Sequence, residues 1–218
     1  MYAINHAATA LILKKQDARI SLFYLLVSVQ LMELFWIFFS YTGLEHSQVL
    51  DGMLHLDFLP YSHSVCSALV LAAAVYFIGR QLTGRSKPAW LLAIGVVSHL
   101  LLDLLTHEPD IRLSPFSSSP SFGLGITLHP GWDFMLETLF GVLCWAYYGG
   151  SRALLLTILG LNVLNIPFMF ARGSGVTSMA AHPGILPSII LFQILLSWWL
   201  VYRFSAEGSR KPPGARPA

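Results

Sequence analysis

The sequence predicts an all-α fold, a polytopic membrane helix bundle of six long transmembrane helices with a short N-terminal helix before them. Three observations carry that prediction. Of 218 residues, 55% are hydrophobic and only 11% charged, where soluble domains carry roughly 25% charged residues. The apolar residues gather in runs long enough to cross a hydrocarbon layer about 30 Å thick as helices. Lys and Arg stand in clusters at the ends of those runs.

The stretch from Tyr2 to Leu13 is apolar and closes on Lys14 and Lys15. At about 1.5 Å per residue it reaches half to two-thirds of the way across, as a short buried helix or an interfacial one. It does not read as a secretory signal peptide, because the positive charges follow the apolar segment and no small-residue cleavage site is evident. The long runs fall at 20–42, 64–82, 88–106, 132–149, 152–171 and 185–203, the last tolerating Pro187 near its start. In LNVLNIPF, Asn162, Asn165 and Pro167 mark a polar, kinked face suited to hydrogen bonding between helices. Residues 1–204 form one transmembrane domain. The Pro-, Gly- and Arg-containing tail, 205–218, is expected to be disordered and cytoplasmic. Cys66 and Cys144 are isolated in apolar runs, which favours packing over a disulfide or a metal site.

Charge orients the bundle. Lys14, Lys15 and Arg19, then Arg80, Arg85 and Lys87, then Arg152, then Arg203, Arg210, Lys211 and Arg216 all fall on one side when the six runs are counted in order. The positive-inside rule makes that side cytoplasmic. The net charge of +2 is too small to suggest a nucleic-acid partner, so membrane lipid is the expected surrounding. The opposite connections, 43–63, 107–131 and 172–184, hold His46, His55, His63, His107, His129 and His182 with Asp51, Asp57 and Asp110.

The chemistry is concentrated in SHLLLDLLTHEPD, Ser98 to Asp110. His99, Asp103 and His107 stand at i, i+4 and i+8, one row on one helix face able to converge on a cation. Ionisable groups inside a membrane are costly and seldom idle. Imidazole and carboxylate are ligands of zinc and of iron, manganese or nickel. The plain alternative is hydrogen bonding to neighbouring helices. Counted from the basic clusters at the helical rise, His99 stands about 18 Å up, Glu33 about 21 Å and Glu137 about 22 Å, with His6 at about 12 Å if its helix enters the bundle. Asp133 lies one turn beyond Glu137 on the same face. In the inner halves, LVLAAAVYF and AWLLAIGVV contain no ionisable residue. His46, His129 and His182 read as solvated loop or turn residues.

The joint order of NHAATALI, VQLMELFW, PYSHS and SHLLLDLLTH resembles the YdjM-type bacterial inner-membrane proteins, regarded as membrane-bound metal-dependent hydrolases. The resemblance spans about residues 1–140. LDFLPYSHS, HEPDIRLSP and an FGLG segment are similar to a subgroup that carries both hydrolase and permease labels. The wider family is thought akin to zinc phospholipases C and single-strand nucleases. The resemblance implies metal-assisted hydrolysis at a bacterial inner membrane, with His6, Glu33, His63, His99 and Asp103 as ligands. His107 joins them by the spacing of its row. Two departures stand out: MELFW replaces an aspartate-rich DxDH stretch and PYSHS replaces HRGxTHS, which removes several ligands and an arginine suited to phosphate.

A divalent ion, zinc foremost, would polarise a phosphoryl or acyl oxygen and acidify water, with Glu33 or Glu137 as proton acceptor. Asp57, Asp110 and Asp133 are candidates to stand behind the ligands and orient them, although Asp110, next to Pro109, also suits the start of a loop turn. The one-sided polar distribution and the lack of a visible repeat favour a hydrolase working from the outer side on a phosphoester or lipid-linked substrate. A divalent-metal or small-solute permease is the alternative, and a non-catalytic scaffold a third.

Overall fold

In the computed structural model the short N-terminal stretch is the centre of the bundle. Helix α1 (Ala3–Gln16) is buried from Ala3 through Leu11 without a break, and Leu13 with them. It packs against the helices that follow on every side. A helix apolar all round belongs inside, and Ala3, Ala7, Ala8 and Ala10 let neighbouring backbones come close. Of the two placements open to this segment, the buried one is realised. The structure describes residues 1–50, 53–117, 119–169, 182 and 184–209, leaving aside the side chains of 47–50, 53–58 and 206–209.

Around α1 stand α2 (Leu22–Val29), α3 (Leu31–Tyr41), α4 (Val65–Thr83), α5 (Ser86–Thr106), α6 (Pro130–Tyr148), α7 (Arg152–Leu164), α8 (Ile166–Met169) and α9 (Ile185–Ser209). Among the described residues four spans are long and apolar enough to cross a membrane: Val65–Thr83, Ser86–Thr106, Arg152–Met169 and Ile185–Ser205. The pair α2 and α3, bent by 55°, makes a fifth if taken as one broken span. The expected six long spans are therefore not reached, and polar residues explain both shortfalls. The run 20–42 breaks at Gln30, whose side chain is drawn into the interior. The run 132–149 does form a 19-residue helix, but Asp133 and Glu137 in its first half lower its apolarity. Helix α9 continues to Ser209, into the expected tail; residues 210–218 lie outside the described residues.

Contacts between connections define the two ends of the bundle. At one end, Arg85 Nη2 and Arg19 Nε lie 3.1 and 3.3 Å from the buried Asp17 carboxylate. Lys15 donates to the Tyr147 carbonyl and sits 4.6 Å above its ring, and Ser151 Oγ donates to Phe204 O at 3.2 Å. The connections bearing Lys14, Lys15, Arg19, Arg85 and Arg152, and the end of α9 with Arg203, thus meet. The Asp17 carboxyl is held below its ordinary pKa, chiefly by the Arg19 backbone N–H; burial opposes this, and the two guanidiniums add to it.

At the other end lie an antiparallel hairpin, β1 (His46–Leu50) with β2 (Met53–Phe58), and the α5–α6 connection with its small pair β3 (Ile111–Arg112) and β4 (Ser121–Phe122). FGLG has a structural task here. The Leu124 and Gly125 amides donate to the carbonyls of Leu104 (2.9 Å) and His107 (2.7 Å), and Thr127 Oγ1 donates to Thr106 O at 2.8 Å. These bonds satisfy carbonyls that the end of α5 leaves open. Gly123 makes the approach possible: its φ is +149°, and a Cβ there would lie 2.1 Å from the Glu108 carbonyl oxygen.

Candidate metal centre

Helix α5 sets His99 and Asp103 one turn apart, both buried, with His99 Nε2 3.0 Å from Asp103 Oδ2. The other ring nitrogen of His99, Nδ1, donates to the carbonyl of Val29 at 2.8 Å. Facing a carbonyl, Nδ1 must carry a proton, which turns Nε2 toward the cluster, as a ligand lone pair when a cation is bound there and as an N–H donor to Asp103 when the ring is protonated. Val29 is the last residue of α2, at the break before α3. The two helices approach closely because residue 95, one turn before His99, is glycine: a Cβ there would lie 2.3 Å from Ser28 Oγ.

His63 arrives from the turn that precedes α4. The buried Glu45 organises that turn, its Oε1 accepting from the amides of Tyr61 (2.7 Å) and Ser62 (2.8 Å). Ser62 Oγ then meets His63 Nδ1 at 2.7 Å, so Nε2 is again the atom turned inward. It lies 3.3 Å from His99 Nε2 and 3.6 Å from Asp103 Oδ2. Glu33, in the first turn of α3 where the helix dipole favours an anion, brings Oε2 to 3.4 Å from His63 Nε2 and 3.6 Å from His99 Nε2. At 19% its side chain is the most exposed of the cluster. From α1, His6 stacks on His99 with ring centroids 3.9 Å apart, and its Nε2 lies 3.2 Å from Asp103 Oδ1. The Met1 nitrogen also donates to Asp103 Oδ1, at 2.9 Å.

These donors fit a divalent cation. Glu33, His63 and His99 form one triangle with sides of 3.3 to 3.6 Å, and Asp103, His63 and His99 form another with sides of 3.0 to 3.6 Å. Ligands bound at about 2.0–2.1 Å around a tetrahedral ion stand about 3.3–3.4 Å apart. Carboxylate oxygens and imidazole lone pairs repel unless a cation or added protons sit among them. Among the described residues the buried His6 Nδ1 has no hydrogen-bond partner, and Asp103 Oδ2 has only the two imidazole Nε2 atoms near it, so a cation or a proton on His99 must neutralise it. Two overlapping sets of three, His6, His99, Asp103 and Glu33, His63, His99, are each compact enough to hold one ion.

The sequence profile of the YdjM inner membrane protein family matches residues 60–176, more than half of the chain. The chain belongs to this family. No curated protein and no solved structure matches it. The YdjM match takes in PYSHS and SHLLLD, and hence His63, His99 and Asp103. Glu33 and His6 precede the matched segment and reach the cluster through α3 and the central helix α1.

Other candidates are placed elsewhere in this YdjM protein. His107 leaves the row of His99 and Asp103, because α5 ends at Thr106 and residue 107 is extended (φ −62°, ψ 149°). Pro109 two residues on disfavours a longer helix. Its Nδ1 lies 3.3 Å from Asp110 Oδ1 and its ring 6.2 Å from that of His63, so it borders the cluster without entering either set of three. Burial pulls the His107 pKa down, but the Asp110 hydrogen bond and the charges of Asp103 and Asp110 raise it overall. Asp110 thus pairs with His107, which lies outside both sets of three, and the structure puts it against neither the His63 nor the His99 ring.

Glu137 is engaged at the N-terminus of α1. Its oxygens accept from the Tyr2 amide (3.1 and 3.0 Å) and from Asn5 Nδ2 (2.5 Å), and Asn5 in turn bonds Asn162 Oδ1 at 2.9 Å. Asp133, one turn away, is buried, and its Oδ1 has no hydrogen-bond partner among the described residues. The side chain of Asp57 lies outside the described residues, as do Asp51 and the side chain of His55. His46, His129 and His182 are exposed, and the carbonyls of His129 and His182 accept from the first turns of α6 and α9. Sequence reasoning missed Glu45, Asn5 and Gln30. Asn5 was visible as a polar residue inside an apolar stretch beside His6. Glu45 carried no signal beyond its place in a polar loop.

Proposed function

We propose that this YdjM protein is a membrane-embedded, metal-dependent hydrolase acting from the outer side of the membrane on a phosphoester or ester of a lipidic or lipid-linked substrate. The observation that carries this reading is the convergence of one oxygen each of Glu33 and Asp103 on the Nε2 atoms of His63 and His99, themselves 3.3 Å apart, at 3.0 to 3.6 Å. Those four residues would hold a divalent ion, zinc foremost, and His6 supports Asp103 from its other oxygen. When bound, the ion supplies Lewis acidity, polarising a phosphoryl or acyl oxygen and making water easier to deprotonate.

The chain's own groups do the rest. The Val29 carbonyl and the Ser62 hydroxyl each hold one ring nitrogen and so fix the orientation of the two imidazoles, with no need for either ring to turn during turnover. Glu33, the most exposed side chain of the cluster, is the proton acceptor we favour, through the carboxylate oxygen that is not turned to the imidazoles. Glu137 has both oxygens engaged by Tyr2 and Asn5 at the start of α1, and its task in this reading is to pin that helix and hence His6. With the basic end cytoplasmic by the positive-inside rule, the cluster opens toward the outer leaflet.

One observation favours a permease instead: the span that supplies Glu33 and the Val29 carbonyl is broken at the site, as in carriers with discontinuous helices. Against it stand the apolar stretches LVLAAAVYF and AWLLAIGVV between the cluster and the basic end. Metal analysis of the purified protein, with His99→Ala and Glu137→Gln beside it, tests the centre. The native protein and Glu137→Gln should carry zinc, and His99→Ala should lose it. Hydrolysis of a phospholipid or a model phosphoester, abolished by Glu33→Gln, supports the enzyme. Metal uptake into proteoliposomes that His99→Ala abolishes, with no product formed from any lipid, overturns it.

A further inference from the structure

We propose that Gln30 is a positioning residue for the metal centre: its side chain holds the first span broken, so that the Val29 carbonyl can orient His99 and the first turn of α3 can present Glu33. This inference rests on the metal reading above. Helix kinks usually trace to proline, glycine or an inserted side chain. The run from Leu22 to Tyr41 contains neither proline nor glycine. Ser28 Oγ, bonding back to Leu25 O at 2.9 Å, favours a slight bend, but the run is otherwise suited to one continuous helix, so a break of 55° needs a tertiary cause as well.

Gln30 supplies one. It is 1% exposed and its backbone leaves the helical region (φ −121°, ψ 12°). Its Nε2 donates to the carbonyl of Ala3 at 2.6 Å, and its Oε1 accepts from Trp198 Nε1. One amide group therefore ties the break to α1 on one side and to α9 on the other, with donor and acceptor both used. Straightening the span would leave the amide and the Trp198 N–H buried without these partners, which is costly for each group.

The break has two chemical consequences. In a continuous helix the Val29 carbonyl would bond the amide four residues on, that of Glu33; here it accepts His99 Nδ1 at 2.8 Å instead. The restart of the helix at Leu31 places Glu33 in the first turn of α3. Helix α9, which contributes no side chain to the cluster, is thereby coupled to it through Trp198.

The test is Co²⁺ binding by the purified full-length protein in detergent, read as affinity and as the visible absorption band that reports ligand geometry. Gln30→Met keeps length and removes both bonds; Trp198→Phe removes one donor and leaves Gln30 in place. Gln193→Met removes the bond from α9 to Asn165 Oδ1 (3.0 Å) and is the control for a general loosening of α9. Gln30→Met should weaken Co²⁺ binding about tenfold or more, the scale of lost outer-shell support, and shift the band. Trp198→Phe should do the same to a smaller degree, and Gln193→Met should bind as the native protein does. If Gln30→Met does not fold, Trp198→Phe decides by the same criteria. Native affinity and band in both variants, while His99→Ala loses binding, overturns the role of Gln30 and leaves the metal centre standing. Failure of the native protein to bind Co²⁺ overturns the metal reading itself.

Discussion

Gly95→Ala is the sharpest perturbation of the geometry at His99. The added Cβ would meet Ser28 Oγ at 2.3 Å, Ser28 Cβ at 3.2 Å and Val29 Cγ1 at 3.3 Å. An ordinary contact needs about 1 Å more than the shortest of these. Ser28 cannot turn away freely, because its Oγ donates to Leu25 O at 2.9 Å, so the strain falls on the separation of α2 and α5. A shift of that size carries the bond from His99 Nδ1 to Val29 O from 2.8 Å to about 3.8 Å, beyond hydrogen-bonding range. Stability is a poor readout, since alanine gains about 0.5–1 kcal/mol over glycine in a helix while overpacking costs about 1–3 kcal/mol. Metal affinity is the better one: loss of the partner that orients a ligand imidazole should weaken Zn²⁺ binding about 10- to 100-fold, measured by competition with a chromophoric chelator in detergent. Adding Ser28→Ala removes the 2.3 Å clash and should restore most of the affinity. Native affinity in Gly95→Ala, or no recovery in the double variant, would refute the reasoning.

Three further outcomes are expected. Because the Asp17 carboxyl is held below its ordinary pKa by the Arg19 amide, with burial opposing and Arg19 and Arg85 assisting, its contribution is complete above the usual carboxylate range and is lost as pH falls through the lowered value. The melting temperature of the native protein should drop more steeply below about pH 4 than that of Asp17→Asn; equal slopes would exclude the linkage. Gly123→Ala forces a side chain onto φ +149° and to within 2.1 Å of the Glu108 carbonyl. It should destabilise the α5 cap by about 2 kcal/mol or more, seen as faster proteolysis of the 107–129 connection, and an unchanged cleavage rate would contradict it. For orientation, Phe116→Cys, at a position 92% exposed, should react with an impermeant thiol reagent on intact cells, and Lys87→Cys only after the cells are opened; the reverse pattern would invert the topology.

Membrane setting, family and most of the cluster were legible in the sequence for one physical reason. An ionisable side chain in an apolar run is expensive, so His6, Glu33, His63, His99 and Asp103 stood out against their surroundings, and the structure gathers all five. The same argument also singled out Glu137, because a buried carboxylate reads alike whether it faces an ion or caps a helix; the bonds to Tyr2 and Asn5 distinguish the two. His107 shared the spacing of the row but not its geometry, since helical periodicity holds only while the helix lasts and α5 stops at Thr106.

Composition and charge placement by themselves determined that the chain is a helical membrane protein with its basic connections at one end, because transfer of charge into hydrocarbon is costly wherever it occurs in the fold. Tertiary structure alone decided that the shortest apolar segment, α1, sits at the centre, that the first span breaks at Gln30, and that Glu45 shapes the turn before His63. Each of these depends on partners far apart in the chain: Gln30 on Ala3 and Trp198, Asn5 on Glu137 and Asn162, Glu45 on Tyr61 and Ser62. Local sequence records the presence of such polar groups but not the partners that satisfy them, and in an apolar interior it is the partners that determine where a helix bends and which atoms face the site.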